Sequence, residues 1–297
     1  MDILEETPGV VCGGTSGGAL KSAAARASLL LRSCPPEVWI FVFYLAAALI
    51  LTWPVLSHFT TSVYGKPGDN LGTIWLNWWY KNHAAFGGST FRSGMIGYPF
   101  STHLWFPYEP LWYLEMRFLL LFVSAPVAWN IDIFLSYFLS GVTMYYLVRY
   151  MLKNRGIAFF GGFAYLAGVF HAYYAMWIGA GLAATQWMPL YILLLLKFIR
   201  KPSWRSSILM ALSGVLVAST SVHFGLFMAI FTAAFLLGRF LYAAVAAARE
   251  KGTLRGARFG MKVNSRTMLM SLAALLTVLL CVMPFFMLFV LGANPSG

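Results

Sequence analysis

Charged residues are so sparse along this chain that their positions cut it into long apolar runs. No charge occurs over residues 38–65, and 38–57 alone is long enough to cross a bilayer, which takes about 20 helical residues. Between Asp132 and Arg149 lies the uninterrupted run IFLSYFLSGVTMYYLV. Residues 156–196 form a stretch of 41 positions without a charge, enough for two spans with a turn near 171–181. Residues 206–248 carry one charge, Arg239, which can snorkel to a headgroup, and this stretch predicts two more spans turning near 219–223. A last apolar run covers 267–291. The pattern predicts an all-α integral membrane protein with about seven transmembrane helices.

Composition agrees with that reading. Of the 297 residues, 60% are hydrophobic and 10% charged, against about 25% charged in an ordinary soluble domain. Disorder is excluded as well, because disordered chains combine low hydrophobicity with high net charge. The loops set the orientation. With the N-terminus inside, 17 of the 21 basic residues fall on inner loops, and only Lys66, Lys81, Arg92 and Arg117 fall outside. The net charge of +12 is therefore a topology signal, with no nucleic-acid partner implied, and the basic inner rim attracts anionic membrane lipid. The expected location is a prokaryotic plasma membrane with the first large loop outside.

Residues 1–37 read as a cytoplasmic arm, Gly- and Ser-rich over 1–18 and with a short amphipathic helix over 20–31, broken by Pro35–Pro36. Residues 38–297 read as the transmembrane domain. The acidic start and late first apolar run argue against a cleavable signal peptide, and Cys12, Cys34 and Cys281 imply no disulfide framework. Within the outer loop, 58–129, two interfacial or re-entrant helices are expected. One is 118–129, apolar but too short to span. The other is 73–86, where Trp75, Trp78, Trp79 and Tyr80 accompany Asn77 and Lys81 in the mix expected at a headgroup boundary.

Under this topology the five histidines, His58, His83, His103, His171 and His223, lie at or near the outer face, as do Asp69, Glu109, Glu115 and Asp132. Nine of the eleven tryptophans join them. The outer charges cancel, so a neutral, aromatic, acid-bearing loop is where a site belongs. An interfacial aromatic belt explains the same residues without one. Transport is disfavoured, since the spans hold almost no ionisable groups and show no internal repeat. Heme or metal ligation by His171 and His223 is disfavoured too, because each lacks a partner at ligand spacing and reads as an interfacial histidine.

Several stretches resemble bacterial polytopic glycosyltransferases of the GT-C superfamily, which use polyprenyl-phosphate-linked sugars. They are PVLSHFTTSVYGKPGDNLGTIWLNWWYKNH, then GYPFSTHLWFPYEPLWYL, then NIDIFLSYFLSGVTMYYLVRYMLKNRGIAFFGGFAYLAGVFHAYY, and finally ATQWMPLYILLLLKFIRKPSWRSSILMAL. The likeness runs over about 38–290 and is to the N-terminal membrane half of such enzymes. It implies an inverting transferase on the outer face in which Asp69 is the general base. Lys66, Lys81 and Arg92 are the cations available to a departing lipid phosphate, and His103 and Glu109 are substrate or metal contacts, a divalent ion being the implied cofactor. Against this, Pro-Gly-Asp-Asn is also a turn sequence, Glu115 reads as a rim charge, and Asp132 reads as a residue at a helix start, explained by capping and the dipole. Asn70 stands where many of these enzymes have a second acid. The other function class is a structural transmembrane subunit of a larger membrane complex, such as an energy-transducing assembly, descended from a truncated relative.

Overall fold

The computed structural model describes residues 35–83, 92–96, 98, 99, 102, 103, 109–249 and 269. The expected last span, the amphipathic arm helix and the three cysteines lie outside the described residues, apart from the arm's final residues. The chain forms two compact units, Met1–Phe43 and Tyr44–Gly297. In the first, the described residues are Pro35 and the opening turns of helix α1 (Pro36–Leu51), with Glu37 in its first turn.

In the second unit, α1 is followed by a 3-10 turn (Val55–His58), α2 (Asp69–Asn82), a minimal antiparallel pair β1 (Arg92–Ser93) and β2 (Thr102–His103), and α3 (Pro110–Leu119). Then come α4 (Ala125–Leu152), α5 (Arg155–Leu166), α6 (Val169–Tyr173) running into a π-turn (Tyr174–Ile178), and α7 (Ala180–Ala183). Helices α8 (Trp187–Arg200), α9 (Trp204–Thr220) and α10 (Val222–Arg249) complete the described chain.

Among the described residues, three helical stretches are long and apolar enough to cross a membrane: Ala125–Leu152, Arg155–Ile178 and Val222–Arg239. They fall on expected spans. The run 38–57 is helical over Pro36–Leu51 only. Thr52 Oγ1 donates to the Ala48 carbonyl (2.8 Å), and Pro54 has no N–H to continue the ladder, so the chain turns into the 3-10 segment. Helices α8 and α9, with 14 and 17 residues, extend about 21 and 26 Å, short of a hydrocarbon core of about 30 Å. Their boundaries are chemical. Gly179 ends the preceding helix at φ 148°, Pro202 follows α8, and a Ser203–Ser206 capping box starts α9.

Two expectations in the outer loop are corrected. Residues 118–129 are not one interfacial helix: α3 ends at Leu119, a turn follows, and Ser124 with Pro126 begins α4. Asp132 is therefore not at a helix start but well inside α4, and buried.

Helix α4 is the centre of the unit, with α5 packed against it and α2, α3, α7 and α8 beside it. Lys153 closes it in the left-handed conformation (φ 59°), and Asn154 Oδ1 then caps α5 by accepting the Ile157 N–H (3.0 Å). The α4–α5 approach is closest at Gly162, where an added Cβ would come within 2.6 Å of the Gly141 carbonyl and collide with the Tyr44 hydroxyl. That hydroxyl donates to the Phe159 carbonyl (2.9 Å). By contrast α10 buries little of its surface, leaving Leu226, Phe227, Ile230, Leu237 and Leu241 exposed, the outward apolar face a lipid-facing helix presents.

Gly162→Val is expected to lower stability by about 1–3 kcal/mol through overpacking. Gly156→Val, where a Cβ meets only the Asn154 oxygen at 3.4 Å, serves as the mild reference. The thermal unfolding midpoints of both variants in detergent check this, and equal midpoints would refute the close α4–α5 contact.

Candidate functional site

The segment after the first helix is pinned from two sides. Toward α4, the Tyr64 N–H donates to Asn130 Oδ1 (2.9 Å), and Asn130 Nδ2 donates to the Phe59 and Ser62 carbonyls (2.9 and 2.7 Å). Trp129 Nε1 donates to the Tyr64 carbonyl (2.9 Å). Toward the π-turn, the Met176 carbonyl accepts the Lys66 N–H (2.8 Å) and Asn70 Nδ2 (2.7 Å). Lys66 Nζ sits 5.0 Å from the Trp177 ring centroid, a cation–π contact. Asp69 opens α2 as an exposed first-turn acid, favoured there by the helix dipole.

Helix α2 is inside-out in polarity. Its inward face carries Asn70, Thr73, Asn77 and Tyr80 alongside Leu76 and Trp79, while Leu71 and Trp78 are 59% and 47% exposed. The helix expected over 73–86 is thus present as Asp69–Asn82, with its polar residues on the buried side. Asn77 is fully buried, and neither its Oδ1 nor its Nδ2 has a hydrogen-bond partner; the Tyr80 hydroxyl is unpartnered as well. Such groups cost about 1–3 kcal/mol each when nothing meets them, and polar atoms of this kind mark places built for more than packing.

Segment 179–181 carries that stripe to the acids. Gly179 lies against Thr73, where an added Cβ would come within 3.2 Å of Oγ1. Its φ of 148° is one that a residue with a side chain rarely adopts. Two residues on, the carboxylate of Glu109 occupies the space a Cβ on Gly181 would need. Glu109 precedes α3 without capping it. On α3, Tyr113 meets Tyr80 edge-on (centroids 4.6 Å, 88°), and Trp112 lies 6.3 Å from the same ring.

Glu109, Glu115 and Asp132 form a group of neighbouring acids, the charges of Glu115 and Glu109 both acting on Asp132. The Trp112 indole is the donor nearest in effect to the Asp132 carboxyl, yet it falls short of hydrogen-bond geometry: Trp112 Nε1 and Asp132 Oδ2 both lack a partner. Burial pushes the Glu109 carboxyl up to about 7 and raises that of Glu115. Burial also raises the Tyr80 phenol, with the Tyr113 and Glu109 charges adding to it. The raised carboxyl of Glu109 keeps its proton to higher pH than an ordinary glutamate, and in that form it can donate as well as accept.

Of the residues singled out in the sequence, Asp69 and Lys66 stand together at the α2 start, Glu109 lies deeper at the foot of α3, and Lys81 is exposed in the last turn of α2. Arg92 and His103 are register partners in the β1–β2 pair, and their side chains lie outside the described residues. Glu115 is half-buried on α3, and its charge acts on Asp132, which makes it a member of the acid group. His171 is buried within the helices, stacked on Tyr137 (4.2 Å, 8°), with Nε2 3.1 Å from Ser136 Oγ. Among the described residues no three His, Cys, Asp or Glu side chains are arranged to hold a metal ion.

Of the three acids in this group, sequence singles out Glu109 alone as a site residue, Glu115 and Asp132 reading there as a rim charge and a cap. The available signals were an acid inside an apolar run, and the position of Glu115 one turn from Trp112 on the buried stripe of α3. No known family model, curated protein or solved structure matches this chain.

The raised Glu109 and Glu115 carboxyls have a signed consequence. The folded state binds protons that the unfolded chain has lost between about pH 4.5 and 7, so stability falls as pH rises through that window. Glu109→Gln is expected to flatten the fall. Unfolding midpoints in detergent from pH 4.5 to 8 test it, and an unchanged slope in the variant would sink the assignment.

Proposed function

We propose that this chain is a GT-C-like membrane glycosyltransferase, or the N-terminal module of one, that moves a sugar from a polyprenyl-phosphate donor to an acceptor on the outer face of a prokaryotic plasma membrane. The full reading has about seven transmembrane helices, a cytoplasmic N-terminus, and the aromatic, acid-bearing loop outside. The observation that carries it is the acid–aromatic cluster among α2, α3, α4 and the 176–181 segment, which holds buried polar atoms without partners. Sugars suit such a lining, because ring faces pack on Trp and Tyr while hydroxyls meet amides, carboxyls and phenols.

In the proposed reaction the acceptor hydroxyl oxygen bonds to the anomeric carbon as the bond from that carbon to the phosphate oxygen breaks, inverting the centre. The hydroxyl proton passes to the Asp69 carboxylate, and the polyprenyl phosphate leaves with the bonding pair. Asp69 suits the base role because it is exposed at the mouth of the loop, on the helix whose inward stripe continues to Tyr80. Lys66, held against Trp177, stands near enough in the chain to offset the departing phosphate charge, with Lys81 and Arg92 as further cations of the same loop. Glu109, whose carboxyl burial pushes up, is suited to hydrogen-bond a sugar hydroxyl; His103 is the other substrate contact the resemblance implies.

The uncovered apolar face of α10 favours a second reading, a structural transmembrane subunit packed against other membrane chains.

The test is transfer of labelled hexose from a polyprenyl-phosphate donor by the full chain reconstituted in vesicles. Asp69→Asn is expected to lower turnover by about 10²–10⁴-fold with its unfolding midpoint unchanged. Undiminished transfer by that variant would remove Asp69 as base. No transfer by the intact chain, with co-purification at fixed stoichiometry in a larger complex, would establish the subunit reading instead.

A further inference from the structure

Three cations from two helices converge on the ring of Tyr150. Arg200 Cζ lies 4.7 Å from its centroid, Lys153 Nζ 4.8 Å and Lys197 Nζ 5.7 Å. Tyr150 is half-buried near the end of α4, and Lys153 is the residue that closes that helix. Lys197 and Arg200 belong to the last turn of α8. Arg149 adds a fourth positive charge, its guanidinium donating to the Lys153 carbonyl.

Two ordinary causes put cations here. Inner loops accumulate Lys and Arg, and helix C-termini favour positive charge in their last turn. Neither asks three of them to share one ring. A tyrosine face attracts each cation through its quadrupole but carries no net charge. Three like charges are thus left within a distance on the order of a Debye length. Among the described residues of this unit the acids are Asp69, Glu109, Glu115 and Asp132, and the acid group does not balance the cations: Asp132 and Tyr150 stand about 27 Å apart along α4 at the helical rise of about 1.5 Å per residue. That separation is close to the thickness of a hydrocarbon core, about 30 Å. An acid group near one headgroup level puts the cage near the other.

We propose that the Tyr150 cage binds the phosphate of an anionic phospholipid headgroup in the inner leaflet. A guanidinium offers paired N–H donors to two phosphate oxygens, and flanking ammonium groups take the remaining ones. A lipid is favoured over free phosphate by what surrounds the cage. Tyr146, Met151 and Leu152 are exposed beside it on α4, an apolar flank against which an acyl chain can lie. The inference depends on α4 spanning the membrane and is independent of any transferase activity.

The experiment uses the full chain in an uncharged detergent, titrated with phosphatidylglycerol and separately with phosphatidylcholine, with bound lipid counted by native mass spectrometry. At about fivefold per cation, the attraction of a basic group to anionic lipid gives a preference for phosphatidylglycerol of roughly a hundredfold. The triple variant Lys153→Gln, Lys197→Gln, Arg200→Gln is expected to lose that preference, and Lys197→Gln alone, at an exposed position, to lower it about fivefold. Lys201→Gln with Arg205→Gln, basic neighbours outside the cage, is expected to retain it, and excess inorganic phosphate is expected not to displace the lipid. Wild-type preference in the triple variant overturns the proposal, and if that variant does not fold, wild-type preference in Lys197→Gln does so. Displacement by inorganic phosphate, or an equal loss in the Lys201 and Arg205 variant, overturns it as well.

Discussion

The carbonyl of Met176 organises the place where the segment after α1, the start of α2 and the π-turn meet. It belongs to the π-turn that ends at Gly179, whose N–H returns to the Tyr174 carbonyl (3.0 Å). A carbonyl at a helix end has no partner further along the helix, and here it receives two, the Lys66 N–H and the Asn70 side chain. That pair of bonds fixes where α2 starts and which face turns inward. With Asn70 held, Thr73, Asn77 and Tyr80 follow on the same side at helical spacing. The backbone beyond the turn then passes Thr73 at Gly179 and Glu109 at Gly181, positions where a side chain would intrude. An exposed loop, an inside-out helix and a buried acid are thus linked through one exposed end of one membrane-length helix.

The price of the arrangement is a set of polar atoms with nothing to bond. Asn77 alone leaves two, and Tyr80, Trp112 and Asp132 leave one each. In a core built only for stability such positions would be apolar, since replacing paired or unpaired polar groups by matched apolar ones is often neutral or favourable. The acids respond to the same burial by holding protons toward neutral pH, which reduces the charge the interior has to accommodate. Unpartnered polar atoms on α2, α3 and α4 with aromatic rings interleaved are what a site for a hydroxyl-rich ligand requires and a lipid-facing surface does not.

The coarse fold was legible because charge is excluded from hydrocarbon: the charge-free runs coincide with α1, α4, α5 with its continuation to Ile178, α8, α9 and α10. Length was less legible. Whether 38–57 stays helical turns on the Thr52 hydroxyl and the missing N–H of Pro54, not on hydropathy. The neighbourhood of the site was partly legible, since Asp69, Lys66 and Glu109 were singled out from loop position and resemblance. Their companions were not. Glu115 reads as a rim charge until α3 is seen to bury Trp112, Tyr113 and Met116 beside it, and Asp132 reads as a cap until α4 is seen to begin at Ala125. Both errors concern which face of a helix is buried, a property set by partners far away in sequence.

Helix α4 makes the division of labour physical. Its first third presents Trp129, Asn130 and Asp132 to the pinned loop and the acids, and its last turns present Tyr150 and Lys153 to the cations of α8. Between these ends the inward residues are Ser136, Tyr137, Ser140 and Gly141, whose polar atoms bond within the bundle: Ser136 meets the Ile133 carbonyl and His171, and Ser140 meets Thr185. A hydrocarbon surround offers no alternative partners, so each mid-helix hydroxyl is tied locally or across one contact. At the ends that constraint relaxes, because water and headgroups are within reach. The buried Asp132 carboxyl with its unpartnered oxygen and the crowded cations therefore occur near the two ends of α4, where a ligand from outside the chain can arrive.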